Sequence, residues 1–249
     1  VEYPQIETFE AAARGAFFAT LCALYHGWAL AQQAHRQRRD QALAAMAFPQ
    51  DRFGPRQRDL AAGVYRAFLQ SRPLVVQAPT GIGKTIGTLY PALRAMPARG
   101  TDKLFYLTAK TPGRAVALEA LAQMRGGGPA TAPVFPLRVL ELVARDKACE
   151  HPQSACHGAS CPLAAGFHDR LPAAREAAAQ QAWLDRTGLR QVALAHAVCP
   201  YYLGQEMVRW SDVVVADYNY YFDRSALLHA MTVDGDWRVG LLVDEAHNL

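Results

Sequence analysis

No run of eighteen apolar residues occurs anywhere in this 249-residue chain, which excludes a membrane-spanning helix and removes the membrane as an expected partner. No secretory leader opens it, so the start reads as internal sequence, and the expected compartment is the cytoplasm. Cysteine is scarce at five residues, and no two of them form a C-x-x-C pair. The usual zinc-ribbon and knuckle spacings therefore fail. A strong excess of one charge is also lacking: the net charge of +4 permits a local nucleic-acid patch without demanding one. There is no internal repeat and no low-complexity tract beyond alanine-rich helices. What remains is ordinary globular chemistry, 51% hydrophobic and 19% charged, enough for one large domain or one domain carrying an insertion.

Residues 8–47 lack proline, and Phe17, Leu21, Leu24, Trp28 and Ala31 recur at helical spacing. The pattern predicts one long amphipathic helix, with Cys22 a buried apolar residue in it. Its basic end, His35-Arg36-Gln37-Arg38-Arg39, reads as a solvated face. Phe48-Pro49 ends the helix. Phe53-Gly54-Pro55-Arg56-Gln57 then leads into a second predicted helix, Arg58–Gln70.

The most informative stretch is Leu74–Thr85, LVVQAPTGIGKT. The β-formers Leu74, Val75 and Val76 enter a loop of Ala78, Pro79, Thr80, Gly81, Ile82 and Gly83, after which Lys84-Thr85 opens a helix. Glycines let backbone N–H groups wrap a phosphate, and the helix N-terminus and Lys84 add positive charge. The Thr85 hydroxyl suits a magnesium ion. Ala78 stands where the strict pattern has glycine, at the strand end rather than in the loop. Phe53 and Gln57 lie upstream at a distance suited to adenine recognition, since a Gln amide both donates and accepts.

A βα rhythm follows, which predicts a parallel sheet with right-handed crossovers. The helix Thr85–Met96 is expected to end near Pro97 and Gly100, and Leu104–Leu107 reads as a buried strand. Lys110 and Thr111 fall at that strand's carboxyl end, where ligands collect, and are candidates for a phosphodiester backbone. Asp212–Ala216 and Val239–Val243 read as further strands. The second ends in Asp244-Glu245, the arrangement that sets carboxylates beside a phosphate loop: Asp244 for magnesium, Glu245 to polarise the attacking water.

Between about Leu140 and Gly204 the rhythm is lost, and Cys149, Cys156, Cys161 and Cys199 appear, with six, four and thirty-seven residues between them. Four thiolates suit zinc or a [4Fe–4S] cluster, and spacing alone leaves both open, along with unliganded core cysteines. A predicted helix over Ala173–Val198 carries Arg175, Arg186 and Arg190, near Phe167 and Trp183; it suits strand binding by charge and stacking, or a solvated face.

In combination these motifs resemble the XPD/DinG-like iron–sulfur DNA helicases of superfamily two. APTGIGKT (Ala78–Thr85) resembles motif I, and LTAKT (Leu107–Thr111) motif Ia. ARDKACEHP (Ala144–Pro152) and CPYY (Cys199–Tyr202) are similar to segments that carry cluster cysteines. VVVADYNYYFD (Val213–Asp223) matches the strand that follows, and VDEAHN (Val243–Asn248) motif II. The resemblance implies a RecA-like P-loop α/β fold with a small helical cluster insertion. Its parts would be a helical lead-in at 1–50, the first motor segment at 51–144, the cluster domain at 145–204, and the motor resumed at 205–249. It implies Mg-ATP and a [4Fe–4S] cluster on the four cysteines. Tyr201 and Tyr218 would lie near the DNA path, and His247 would couple nucleotide state to DNA. The implied partner is single-stranded or forked DNA, with 5′ to 3′ movement. A second motor domain and possibly an N-terminal nuclease-like domain would complete the protein. The match ends just past motif II, so this chain is expected to be an incomplete motor that hydrolyses ATP barely, if at all.

Overall fold

A computed structural model describes residues 10–79, 81–109, 111–126, 135–223 and 226–249. The segment KLFYLT is apolar at every central position, which suits a strand covered on both faces. It forms β1 (Lys103–Thr108), buried throughout. With β2 (Val139–Glu141), β3 (Trp183–Leu184), β4 (Val213–Asp217) and β5 (Val239–Val243) it builds a sheet in the order β3-β2-β4-β1-β5. Every pairing is parallel, so the α/β sheet expected from the rhythm is present.

The helices are α1 (Ala11–Ala45), α2 (Gln57–Gln70), α3 (Lys84–Arg99), α4 (Thr111–Gly126), α5 (Arg145–Ala148), α6 (Phe167–Gln181), α7 (Arg186–Ala195), α8 (Pro200–Met207), α9 (Asn219–Phe222) and α10 (Leu227–Asp234). Side chains alternate across a strand, so β1 feeds two cores. Leu104 and Tyr106 join Val213, Val215 and Leu242 against α2, α3 and α4. Phe105 and Leu107 join Val214 and Ala216 against α6, α7, α8 and α10.

Several expectations are corrected. Phe17, Leu21, Leu24 and Trp28 of α1 are exposed, as is Cys22. The buried residues of α1 are instead His35, Arg39 and Leu43, so the basic stretch taken as solvated is the part that docks. The reason is Asp212, fully enclosed at the amino end of β4. It accepts from His35 Nε2 at 2.9 Å, Arg39 Nη1 at 3.0 Å and the Arg138 backbone N–H at 2.8 Å. Arg39 also donates to the Thr101 and Asp102 carbonyls. A buried charge persists only when paired in this way.

Leu74–Val76 forms no strand among the described residues, and Val75 is 97% exposed. β-propensity needs a neighbouring strand to take up the ladder, and this segment has none there. The predicted 173–198 helix is split: Ala182 adopts φ +56° and ends α6, Trp183-Leu184 pairs with β2, and Asp185 caps α7 by accepting from Gly188 N–H. Helix α3, by contrast, ends where expected: it runs to Arg99 and stops at Gly100 in the left-handed region.

Candidate functional site

The carboxyl ends of β1, β4 and β5 and the amino end of α3 meet at one place. Gly81 and Gly83 have φ of +84° and +76°, where L-residues are strained. A Cβ on Gly83 would also sit 2.3 Å from Gln57 Nε2. The loop thus requires its glycines and delivers Lys84 to the first turn of α3. Lys84 Nζ donates to the Ala78 carbonyl at 3.3 Å and lies 3.7 Å from Glu245 Oε1. This brings together the two ends of the motif pair, 161 positions apart in sequence.

Asp244 follows β5 directly, and its backbone N–H is held by the Leu107 carbonyl at 2.9 Å. Glu245 occupies φ +54°, an unusual conformation for a non-glycine residue and a mark of a constrained site. His247 is exposed, with Nδ1 3.5 Å from Glu245 Oε2.

Two tyrosines near Asp244 change the picture drawn from the motifs. Tyr106 is buried on β1, opposite Leu242 of β5, on the face that α3 covers. Burial first, and then the charge of nearby Asp244, push its phenol far above its ordinary value. Tyr218, beyond β4, donates its hydroxyl to the Asp244 backbone carbonyl. It is 5% exposed, and its hydroxyl is directed at the Asp244 backbone. Burial, followed by the charges of Asp244 and Glu245, raises its phenol too. Sequence reasoning had Tyr106 only as part of an apolar run. The available signal was its parity: it lies two residues from the strand's end, on the side that must face the phosphate-loop helix.

The adenine-side residues are placed at the mouth of an open cleft of about 650 Å³ lined by Gln50, Arg52, Phe53, Gly54, Pro55, Gln57 and Gly81–Gly83. Phe53 stacks on Phe48, with ring centres 3.9 Å apart. Gln57 is buried. Its Oε1 accepts from Gly54 N–H at 2.8 Å, and its Nε2 donates to the Gly83 carbonyl at 3.2 Å, so half its capacity braces the loop. Thr80 and Lys110 lie outside the described residues. The Thr111 hydroxyl accepts from Arg114 and Lys147.

The cysteines are less fully assembled. Cys199 caps α8 ahead of Pro200; burial raises its thiol, while the Tyr202 and Tyr201 backbone N–H groups act against that. Cys149 and Cys161 lie near enough for their charge to reach it, whereas Cys156 is exposed. All four are free thiols, the donor type a sulfur-ligated metal takes. Among the described residues, however, no three such ligands converge on one point. Tyr201 is partly buried and 5.2 Å from the Tyr202 ring.

Residues 138–249 match the DEAD_2 family model. A solved XPD helicase structure is similar in fold at TM-score 0.53 and 17% identity, covering 80% of this chain and 33% of its own. No curated protein matches the sequence. The chain therefore spans about a third of the XPD helicase structure's length. These findings bear out the XPD-like resemblance read from the motifs.

Proposed function

We propose that this chain is the nucleotide-binding part of an ATP-dependent DNA helicase that moves along single strands, 5′ to 3′ by resemblance. The observation that carries the reading is the meeting of Lys84 with Glu245, beside Thr85 and Asp244, at the carboxyl end of a parallel sheet. Lys84 neutralises phosphate charge, and the loop N–H groups hold the remaining oxygens. Thr85, in the first turn of α3, and Asp244, directly after β5, hold one magnesium ion accompanying ATP. Glu245 is exposed and takes a proton from the attacking water. Phe53 lines the base end. Lys110, Thr111 and Tyr201 are the DNA-side candidates, and His247, paired with Glu245, links the two sites.

Cys149, Cys156, Cys161 and Cys199 are proposed to ligate a [4Fe–4S] cluster, whose contribution is to fix the fold of residues 145–204. The Tyr201 and Tyr202 N–H groups favour thiolate at Cys199. In the whole protein a second motor domain supplies the arginine finger, worth roughly 10³–10⁵ in rate. Alone, this chain is expected to bind Mg-ATP weakly and to turn it over barely.

The test is binding of a fluorescent ATP analogue, with and without magnesium and single-stranded DNA. Saturable, magnesium-dependent binding that Lys84→Ala abolishes supports the reading; equal binding by that variant overturns it. Iron and acid-labile sulfide on anaerobically purified protein test the cluster. About four of each, lost in Cys149→Ser, supports it; one zinc and no sulfide overturns it.

A further inference from the structure

Three aromatic rings from outside the phosphate-loop motif meet behind the open cleft. Phe48 follows the end of α1, Phe53 precedes α2, and Tyr90 lies on α3, the helix that Lys84 opens. Phe48 and Phe53 lie face to face, with ring centres 3.9 Å apart and planes inclined by 23°. Tyr90 meets Phe48 edge-on, with ring centres 5.2 Å apart, and stands 6.4 Å from Phe53. Stacked and edge-to-face pairs are both favourable arrangements of aromatic quadrupoles. Phe53 lines the cleft and Phe48 does not, so Phe48 backs the Phe53 ring.

The chain on either side of this pair is tied down. Tyr90 donates its hydroxyl to the Met46 carbonyl at 3.3 Å. Arg94 donates to the Leu43 carbonyl at 3.1 Å and to that of Ala44. Both donors belong to α3, so the end of α1 is fastened to the helix that presents Lys84. Pro49 then keeps Phe48 out of helical backbone. Beyond Phe53, the Gly54 N–H donates to buried Gln57 Oε1 at 2.8 Å, and Gln57 Nε2 reaches the Gly83 carbonyl. The Phe53 ring is therefore held from behind by Phe48 and along the backbone by a brace to the phosphate loop. A ring fixed before its ligand arrives avoids the ordering cost that a mobile side chain incurs on binding.

We propose that Phe48 is a positioning residue for the nucleobase: it backs the Phe53 ring, and the base stacks on the opposite face of Phe53. This deepens, and rests on, the nucleotide-site reading above. It also gives the docked end of α1 a task at the site, since α1 delivers Phe48.

The test is competition against a ribose-labelled fluorescent ATP analogue on the full chain, with magnesium present. The competitors are ATP and inorganic tripolyphosphate, which carries the phosphates without a base. Wild type should bind ATP more tightly than tripolyphosphate. Phe53→Leu removes the stacking face and should weaken ATP about 5–150-fold. Phe48→Leu should weaken ATP about 2–10-fold. Both variants should keep tripolyphosphate within about twofold, a split that general loosening would not produce. Phe48→Tyr keeps the backing ring and should match wild type. Because Phe48 acts through Phe53, the double variant should lose no more than Phe53→Leu alone. Where a circular-dichroism melt shows Phe48→Leu unfolded, Phe48→Met takes its place in the same comparison. Unchanged ATP affinity in the Phe48 variant overturns the proposal, as do additive losses in the double variant. Equal loss of ATP and tripolyphosphate also overturns it, by assigning Phe48 a packing role. Wild type that binds the two competitors equally overturns it while leaving the phosphate cradle standing. Wild type that binds neither overturns the nucleotide-site reading itself, and this proposal with it.

Discussion

The sheet meets an aspartate at each end of its strands and accommodates the two in opposite ways. At the amino end Asp212 is sealed in, with His35, Arg39 and the Arg138 N–H taking up its oxygens. At the carboxyl end the Asp244 backbone is held by the Leu107 carbonyl and the Tyr218 hydroxyl, and the residue remains partly accessible. The first arrangement meets the carboxylate with full charges. The second fixes the backbone and leaves the carboxylate's charge uncancelled. Stability is concentrated at one end of the sheet and binding capacity at the other.

The contrast is most directly broken by exchanging the two losses. Asp212→Ala takes from the enclosed Arg39 and His35 the carboxylate they share, and should cost about 3–5 kcal/mol in urea unfolding. Asp244→Ala should cost about 1 kcal/mol or less by the same measurement, while abolishing magnesium-dependent nucleotide binding. Equal costs would show that the two ends do not differ as described.

A second probe is Lys103, buried near Asp212 with its ammonium over the Trp237 ring at 4.3 Å and donating to the Ser211 carbonyl at 2.7 Å. Burial, the largest influence, pushes it down from 10.5 to about 8. Its folded value is below its unfolded one, so between about 8 and 10.5 the unfolded chain binds more protons, and stability rises with pH across that window. The wild-type advantage over Lys103→Met should therefore grow by about 1–3 kcal/mol from pH 7.5 to pH 10 in urea titrations. Asp212 acts in the acid range. Its carboxyl is held below the ordinary value by His35 and Arg39 despite burial, so its contribution is present above the unfolded pKa and is lost as pH falls through the folded one.

At the carboxyl end, Gly83→Ala forces a Cβ onto Gln57 in a left-handed conformation, and should cost about 1 kcal/mol of stability. Its larger effect should be on nucleotide affinity, weakened at least about tenfold by a displaced loop, as read by the fluorescent analogue. The smallest effect belongs to neither end. Leu24→Ser on the exposed part of α1 should change stability by no more than about 0.5 kcal/mol.

The phosphate loop, the acidic pair and the parallel sheet were legible because each is a local pattern with a fixed mechanical meaning. Gly81, Gly83 and Lys84 declare a backbone conformation, and Asp244-Glu245 ends a run of apolar residues. The errors came where a residue's role is decided by a distant partner. His35 and Arg39 look like solvent-facing charges until Asp212, more than 170 positions away, is placed beside them. Phe17 and Leu24 look like core until nothing in the described fold covers them. Leu74–Val76 has the composition of a strand and no strand beside it. Tyr106 was hidden for a related reason, since only the pairing with β5 shows that it lies beside the strand ending in Asp244.

The grip on α1 has a mechanical consequence. The helix is 35 residues long, and its buried residues His35, Arg39 and Leu43 lie in its final third, with Gln32 and Trp28 touching Arg138 and Trp210 just before it. The stretch from Ala11 to Trp28 extends about 26 Å beyond these contacts. It is a lever arm with its fulcrum at the amino end of the strands, on the opposite side from the phosphate loop. A tilt of about 10° at that fulcrum carries the far tip through about 4–5 Å, given that length. Small rearrangements of the strands around Asp212 are thus written large at the tip of α1.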